Sequence, residues 1–321
     1  MNKATISEMS SSLATLVQYI EVWHLAEDGQ SMVLHNQTRL RGNVVDSGTS
    51  DRSVRNGEGL AGMAWNQRHA VILQEAPSDL LERIGAQNGL ELTALVAYPI
   101  MKGHDVLSVV VFGISDGPGA IEVWSRDDRD ELSISASYYF GLKSVEFMSR
   151  YVRFPKGAGL PGTVWKTGQP KLAVDLPHNS NFMRSFTTDE AILHTGLGLP
   201  VGSTAGHSDS ILLLLSSYGK PIASAFEIWL PTDVAEPSTQ FQCVAADWNA
   251  IQANGTTLVG SVTCDPIVAS ALRSGRPEFS TDAQASFSMR STADNFDGIR
   301  AVLAIPVYKG SQKFAVVVMV F

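Results

Sequence analysis

Three copies of one pattern divide this chain, and they restrict its folds more than any other feature. Glu-Val/Ile-Trp occurs at Glu21-Val22-Trp23, Glu122-Val123-Trp124 and Glu227-Ile228-Trp229, spaced by 101 and 105 residues. An apolar-proline-apolar triplet keeps step with it at Tyr98-Pro99-Ile100, Leu199-Pro200-Val201 and Ile305-Pro306-Val307. Two markers moving together mean three copies of one unit. A period of this length is domain-sized, whereas solenoid and propeller repeats run at about 20–50 residues. The expected units are 1–116, 117–219 and 220–321 of the 321 residues, each able to hold a small core.

The second copy reads most clearly. Residues 120–127 and 131–140 alternate in polarity around an acidic turn and predict an antiparallel strand pair. After a segment of mixed character, glycines punctuate a short helix carrying Leu160, Val164 and Trp165 and ending near Gly168. A strand over 171–174, a polar loop, a helical stretch over 190–195 and two apolar strands around Pro200 and Leu213 follow. The unit is therefore α+β, an antiparallel sheet of five or six strands with helices on one face.

The links between copies are short, "ISDGPGA" and "SSYGKPIASA". Links of that length read as hairpin turns. Hairpins would pair each later Glu-Val/Ile-Trp strand with the preceding copy and leave residues 20–41 to close on the third. Three domains in a row with tight linkers is the other arrangement.

The run "FPKGAGLPGTVWKTGQP", the following Asp175-Leu176-Pro177 and the closing Gly198-Leu199-Pro200 resemble a GAF domain, a profilin-like fold. The first copy matches at "RNGEGLAGMAWNQRHAVILQEAP" and "LVAYPIMKGHDVLSVVVFG". The third matches more weakly: Gly275 and Pro277 align with Gly168 and Pro170, and Leu272 stands opposite Trp165. This resemblance implies a small-molecule pocket between the sheet and its covering loops, although the fold alone does not select a ligand. It points to the loop after residue 174, where Asp175, Asn179, Asn181 and Arg184 are interleaved with Phe182 and Phe186, and to Trp165 beneath it. Trp65 and Glu75 hold the corresponding places in the first copy. An N-cap at Thr188 or Asp189 accounts for some of the same polar residues.

Other chemistries find little support. The glycines at 57, 59, 62, 157, 159 and 162 lack the Lys-Ser/Thr of a phosphate loop, and tight packing of helix against sheet explains them better. Cys243 and Cys264 are followed by Val244 and Asp265 rather than by histidine, so the family's covalent tetrapyrrole attachment is not expected. Two lone thiols do not supply thiol exchange and read as small buried hydrophobes. The seven histidines lack the short spacing of a metal site. No cofactor is named by the sequence. A formal net charge of −8 argues against nucleic acid and anionic membranes as partners. No run approaches a bilayer span, and the N-terminus does not read as a signal peptide, so a cytoplasmic protein is expected.

Two functional readings stay open, with an enzyme as the third choice. One is a non-enzymatic regulator or sensor of tandem GAF-like domains, binding a small molecule in the first or second and acting through a separate output protein. The other is an interaction module whose pockets are filled by side chains. A weakly amphipathic helix over 3–19, with Ile6, Met9, Leu13, Leu16 and Val17, is the candidate for homodimer formation. The glutamates of the repeated triplet call for a common cause, a buried hydrogen bond or an inter-domain contact.

Overall fold

The computed structural model describes residues 15–40, 52–74, 91–179, 182, 193–202, 210–232, 240–248, 259–260, 264–289 and 299–321. The first sheet is built from β1 (Val17–Leu25), β2 (Ser31–Arg39), β3 (Ser53–Arg55), β4 (Val71–Gln74), β5 (Ala94–Lys102) and β6 (Asp105–Ile114), with α1 (Gly59–Gln67) before β4. The second contains β7 (Gly119–Arg126), β8 (Leu132–Tyr139), β9 (Lys171–Ala173), β10 (Leu193–Val201) and β11 (Ser210–Ser217). Helices α2 (Lys143–Tyr151) and α3 (Gly159–Thr167) precede β9. The third contains β12 (Ala225–Pro231), β13 (Phe241–Asp247), β14 (Glu278–Ser280), β15 (Val302–Lys309) and β16 (Gln312–Val320), with α4 (Pro266–Ser274) and α5 (Ala283–Ser286). The fold is α+β with three antiparallel sheets. Their orders are β3-β2-β1-β6-β5-β4, β8-β7-β11-β10-β9 and β13-β12-β16-β15-β14, one topology with β3 added to the first.

The Glu-Val/Ile-Trp strand is central in each sheet and pairs within its own copy. Glu21 lies opposite Val111, Glu122 opposite Leu213 and Glu227 opposite Val318. Strand exchange between copies, with the N-terminal strand completing the third sheet, is therefore corrected. The links leave the sheets instead of folding back as hairpins. Gly117 turns the first link at φ +154°, where an added Cβ would meet Leu16 Cδ2 at 2.5 Å. The second link runs beside the start of β1, and the Leu16 N–H donates to the Pro221 carbonyl at 2.7 Å.

Each sheet is buried on both faces. Outward, the helices cover it: Leu60 and Ala61 of α1 pack on Tyr19, Trp23 and Leu95. Val145 of α2 and Val164 and Trp165 of α3 belong to the core around Trp124 and Leu213, and Ile267 and Val268 of α4 to that around Trp229 and Val316. Inward, the three sheets share one core. Ile20, Val22 and Phe112 meet Ile121, Val123 and Leu212, together with Phe226, Ile228 and Val317. This second burial explains why β10, β11, β15 and β16 are apolar in runs rather than in alternation.

The repeated proline triplets come together here. The Tyr98 hydroxyl, whose pKa is pushed up by burial, donates to the Pro200 carbonyl at 2.8 Å. Polar contacts join the copies in order: His69 Nε2 to Ser125 Oγ at 2.8 Å, Thr195 to the Asp247 carboxylate, and Arg276 to the Leu25 carbonyl at 3.4 Å. The third copy thus meets the first through side chains, packed faces and backbone bonds, among them the Gly103 N–H to the Gly310 carbonyl at 2.6 Å, and the ring closes without strand exchange.

Three local expectations change. Val17–Tyr19 belong to β1, so the amphipathic-helix reading of 3–19 fails there, while Ile6, Met9 and Leu13 lie outside the described residues. Leu193–Thr195 begin β10 rather than ending a helix. Gly196 and Gly198 in that strand leave room for Leu160 and Val164 of α3, and glycines at that spacing disfavour helix. The mixed segment after residue 140 forms α2.

Candidate functional site

Residues two apart on a strand share a face, so Glu and Trp of each triplet point outward together. In every copy the register with the second strand shifts by one residue immediately before the tryptophan, a bulge at His35, Ser135 and Val244. The indole N–H then donates to the glutamate: Trp23 to Glu21 at 2.8 Å, Trp124 to Glu122 and Trp229 to Glu227 at 2.9 Å each. All three carboxylates are buried. A buried hydrogen bond is therefore the common cause the repeated glutamate called for, since a buried carboxylate needs donors to offset lost hydration.

The other carboxylate oxygen differs among copies. In the second, Glu122 Oε1 accepts from Ser149 Oγ of α2 at 2.9 Å, and Phe154 packs edge-on against Trp124 at 4.8 Å between centroids. In the third, Glu227 Oε1 accepts from Trp248 Nε1 at 2.8 Å, and Trp248 packs against Phe287. In the first, Glu21 Oε1 accepts from the Tyr19 hydroxyl at 2.6 Å and pairs with Arg52 at 3.1 Å. Arg52 stands before β3, with its guanidinium 5.4 Å from the Trp23 ring centre and a second bond to Gln37 Oε1 at 2.9 Å. Burial, followed by the neighbouring Glu21 charge, pushes the Tyr19 phenol far above its usual range, so it remains a donor.

Where the second and third copies place aromatic rings, the first has a cavity of about 160 Å³. Its floor is Tyr19, Glu21, Trp23, Leu95 and Val111 of the sheet; its wall is Arg52, Ser53 and Val54, and the start of α1 from Glu58 to Ala61 closes it. The side chain of Arg52 is 30 % exposed, which sets it at the mouth, against 6 % for Glu21. The first N–H groups of α1 have no acceptor within the helix. This gives a small chamber with an apolar body, a fixed cation at the mouth and spare donors.

Of the residues expected to form a site in the second copy, Trp165, Asp175, Asn179 and Phe182 are described. Trp165 and Phe182 are buried in the outer core of the second sheet. Asp175 adopts a left-handed conformation at φ 54° and accepts from His178 Nδ1 at 2.9 Å, and Asn179 Nδ2 donates to the Val174 carbonyl at 3.2 Å. These bonds shape the loop. Trp65 packs, partly buried, on the first sheet's outer core, and the chamber's lining does not include it. Asn181, Arg184, Phe186 and Glu75, with Thr188 and Asp189, lie outside the described residues. Tyr19, Arg52 and Ser53 were missed. Glu21 was the available signal, and its buried charge called for a partner that only the tertiary structure supplies.

The glycines serve the turn before the helix rather than the expected packing of helix against sheet: a Cβ on Gly62 or Gly162 would collide with the carbonyl of Arg55 or Pro155, and Gly57, Gly59, Gly157 and Gly159 have left-handed φ. Cys264 is half-buried, and burial raises its thiol. Among the described residues, no cluster of His, Cys, Asp or Glu is placed to hold a metal ion, and no helix is long and apolar enough to cross a membrane.

No protein-family model matches the chain, and no curated protein matches it in sequence. Similar solved structures include the A. aeolicus nlh2 GAF domain in an inactive state, 22% identical, with a TM-score of 0.24 over 30% of this chain and 57% of that one. A Staphylococcus aureus NreA protein mutated in its nitrate binding site is 18% identical, with a TM-score of 0.26 over 33% and 80%. The sensor region of a sensor histidine kinase is 13% identical, with a TM-score of 0.22 over 96% and 86%. The chain spans just over half the length of the first of these.

Proposed function

We propose that this chain is a non-enzymatic, cytoplasmic small-molecule-binding regulator in which the first copy takes the ligand and the other two serve as scaffold. The observation that carries this reading is the contrast at one structural position. The repeated carboxylate faces a chamber of about 160 Å³ in the first copy and packed aromatic side chains in the second and third. β1 links that chamber to the rest of the molecule, with Tyr19, Glu21 and Trp23 on the ligand side and Ile20 and Val22 in the shared inner core. A ligand that prefers one position of β1 would shift how the three sheets pack, and a separate protein would read the change.

Native mass spectrometry of protein purified without added ligand, set beside the denatured sample, tests the reading. The expected result is a small adduct, retained natively or captured from a metabolite pool, and lost on denaturation. An apo mass under both conditions would overturn it in favour of an interaction module, the reading supported by the filled positions beside Trp124 and Trp229.

A further inference from the structure

Resting on that reading, we propose that the ligand of the first copy is a small planar ring bearing a carboxylate, its ring inside the chamber and its carboxylate at the mouth on Arg52. Size comes first. A cavity of about 160 Å³ matches the engineered apolar cavity of about 150 Å³ that accepts benzene. Leu60, Leu95 and Val111 supply apolar walls, and Tyr19 and Trp23 supply aromatic ones.

Charge comes second. Glu21 is the only buried carboxylate in the lining, and it already accepts from Tyr19, Trp23 and Arg52, which leaves it little capacity for a ligand ammonium. Arg52 spends one nitrogen on Glu21 and one on Gln37, so N–H groups of its planar fork stay open at the mouth. The first-turn N–H groups of α1 add further donors at the same chamber. Glu58, the other carboxylate of the lining, is exposed and accepts from the Arg55 N–H at 3.0 Å, and a ligand carboxylate is the group that uses these donors. Its pairing with guanidinium is bidentate and charge-assisted.

Titration calorimetry on the full chain with benzoate, benzamide and benzylamine tests this. The three probes share a ring and differ in the charge of the head group. The expected order is benzoate first, by about tenfold over benzamide, the ratio of a charge-assisted to a neutral hydrogen bond, with benzylamine weakest. Benzoate affinity should fall by about the same factor in Arg52→Lys, which keeps the charge and loses the fork. Benzylamine or benzamide binding as well as benzoate would overturn the anion assignment while leaving the chamber reading intact. No binding by any of the three, together with a native mass spectrometry adduct whose accurate mass excludes a ring carboxylate, would overturn the ring assignment. Neither adduct nor probe binding would remove the functional reading itself. The wild-type comparison decides the question even if the variant fails to fold.

Discussion

The carboxylates of Glu21 and Glu122 begin from the same sequence and the same bulge and end in opposite surroundings. Glu122 is sealed beneath α2, with Ser149 as its second donor and Phe154 against its tryptophan. Glu21 shares its second oxygen between a phenol and a guanidinium at the edge of a chamber. The indole N–H meets the minimum requirement of a buried carboxylate in both copies. What satisfies the remaining lone pairs is free to vary, and that freedom separates a packed copy from an open one.

Removing the two tryptophans should break the comparison most sharply. Trp124 is fully buried, so Trp124→Ala should cost about 5 kcal/mol, at the top of the range for large aromatic truncations. Trp23 borders space that is already empty, so Trp23→Ala should fall near the bottom of that range, about 3 kcal/mol. Denaturant unfolding of both variants measures the gap, and equal costs would mean that the chamber closes in solution.

The next effect is steric. Gly198 occupies the strand position held by Ala97 in the first copy and Ala304 in the third. An added Cβ there would lie 2.8 Å from Val164 Cγ2, which comes from helix α3. Gly198→Ala should therefore cost about 1–3 kcal/mol by overpacking, although alanine stands at that position in both sister sheets. Thermal denaturation that leaves the variant at wild-type stability would show that α3 sits more loosely over the second sheet than its packing implies.

These contrasts also show what the sequence could reveal. The strand pairs of the second copy, the helix ending at Gly168 and the sheet of five or six strands were legible, because polarity alternation and left-handed glycine caps are local. The role of the glutamate was half-legible: its recurrence beside tryptophan called for a buried bond or an inter-domain contact, and the indole two residues away makes it the bond. The chamber was not legible. Arg52 lies 31 residues from Glu21, and no local rule joins them. In the polar loop after Val174, Asp175 and Asn179 make loop-shaping bonds, and the sequence does not separate that role from ligand binding because the residue types are the same. The shared inner core had a visible trace, the unbroken apolar strands, but the short links suggested hairpins and drew attention to strand pairing.

Acid should weaken the junction of the third copy with the first. His24 stacks on His35 at 4.3 Å, and burial, then the charges of His35 and Arg276, push its pKa down to about 3. A folded value below the unfolded one means that the unfolded chain takes up the proton first. This contribution is whole above about pH 6.5 and is lost as pH falls from there toward 3, by about 1.4 kcal/mol for each unit once the unfolded imidazole is charged. Denaturant unfolding at pH 7 and pH 5 should show this slope in the wild type and a shallower one in His24→Gln. Parallel slopes would place the acid sensitivity elsewhere.

The smallest effect on stability is the most informative about function. Ala61 lines the chamber from the first turn of α1 and is buried against the outer core. Ala61→Leu would add three carbons to space the fold already leaves empty, without stripping donors from Glu21. Its stability should stay within about 1 kcal/mol of wild type, on the stabilising side, as cavity filling generally gives. The first copy would then resemble the second, with a satisfied carboxylate beneath packed side chains. Any ligand-dependent rise in melting temperature should disappear, since mass action needs a site in the folded state. If that rise persists unchanged, the ligand binds away from Glu21, and the difference between open and filled copies is one of packing alone.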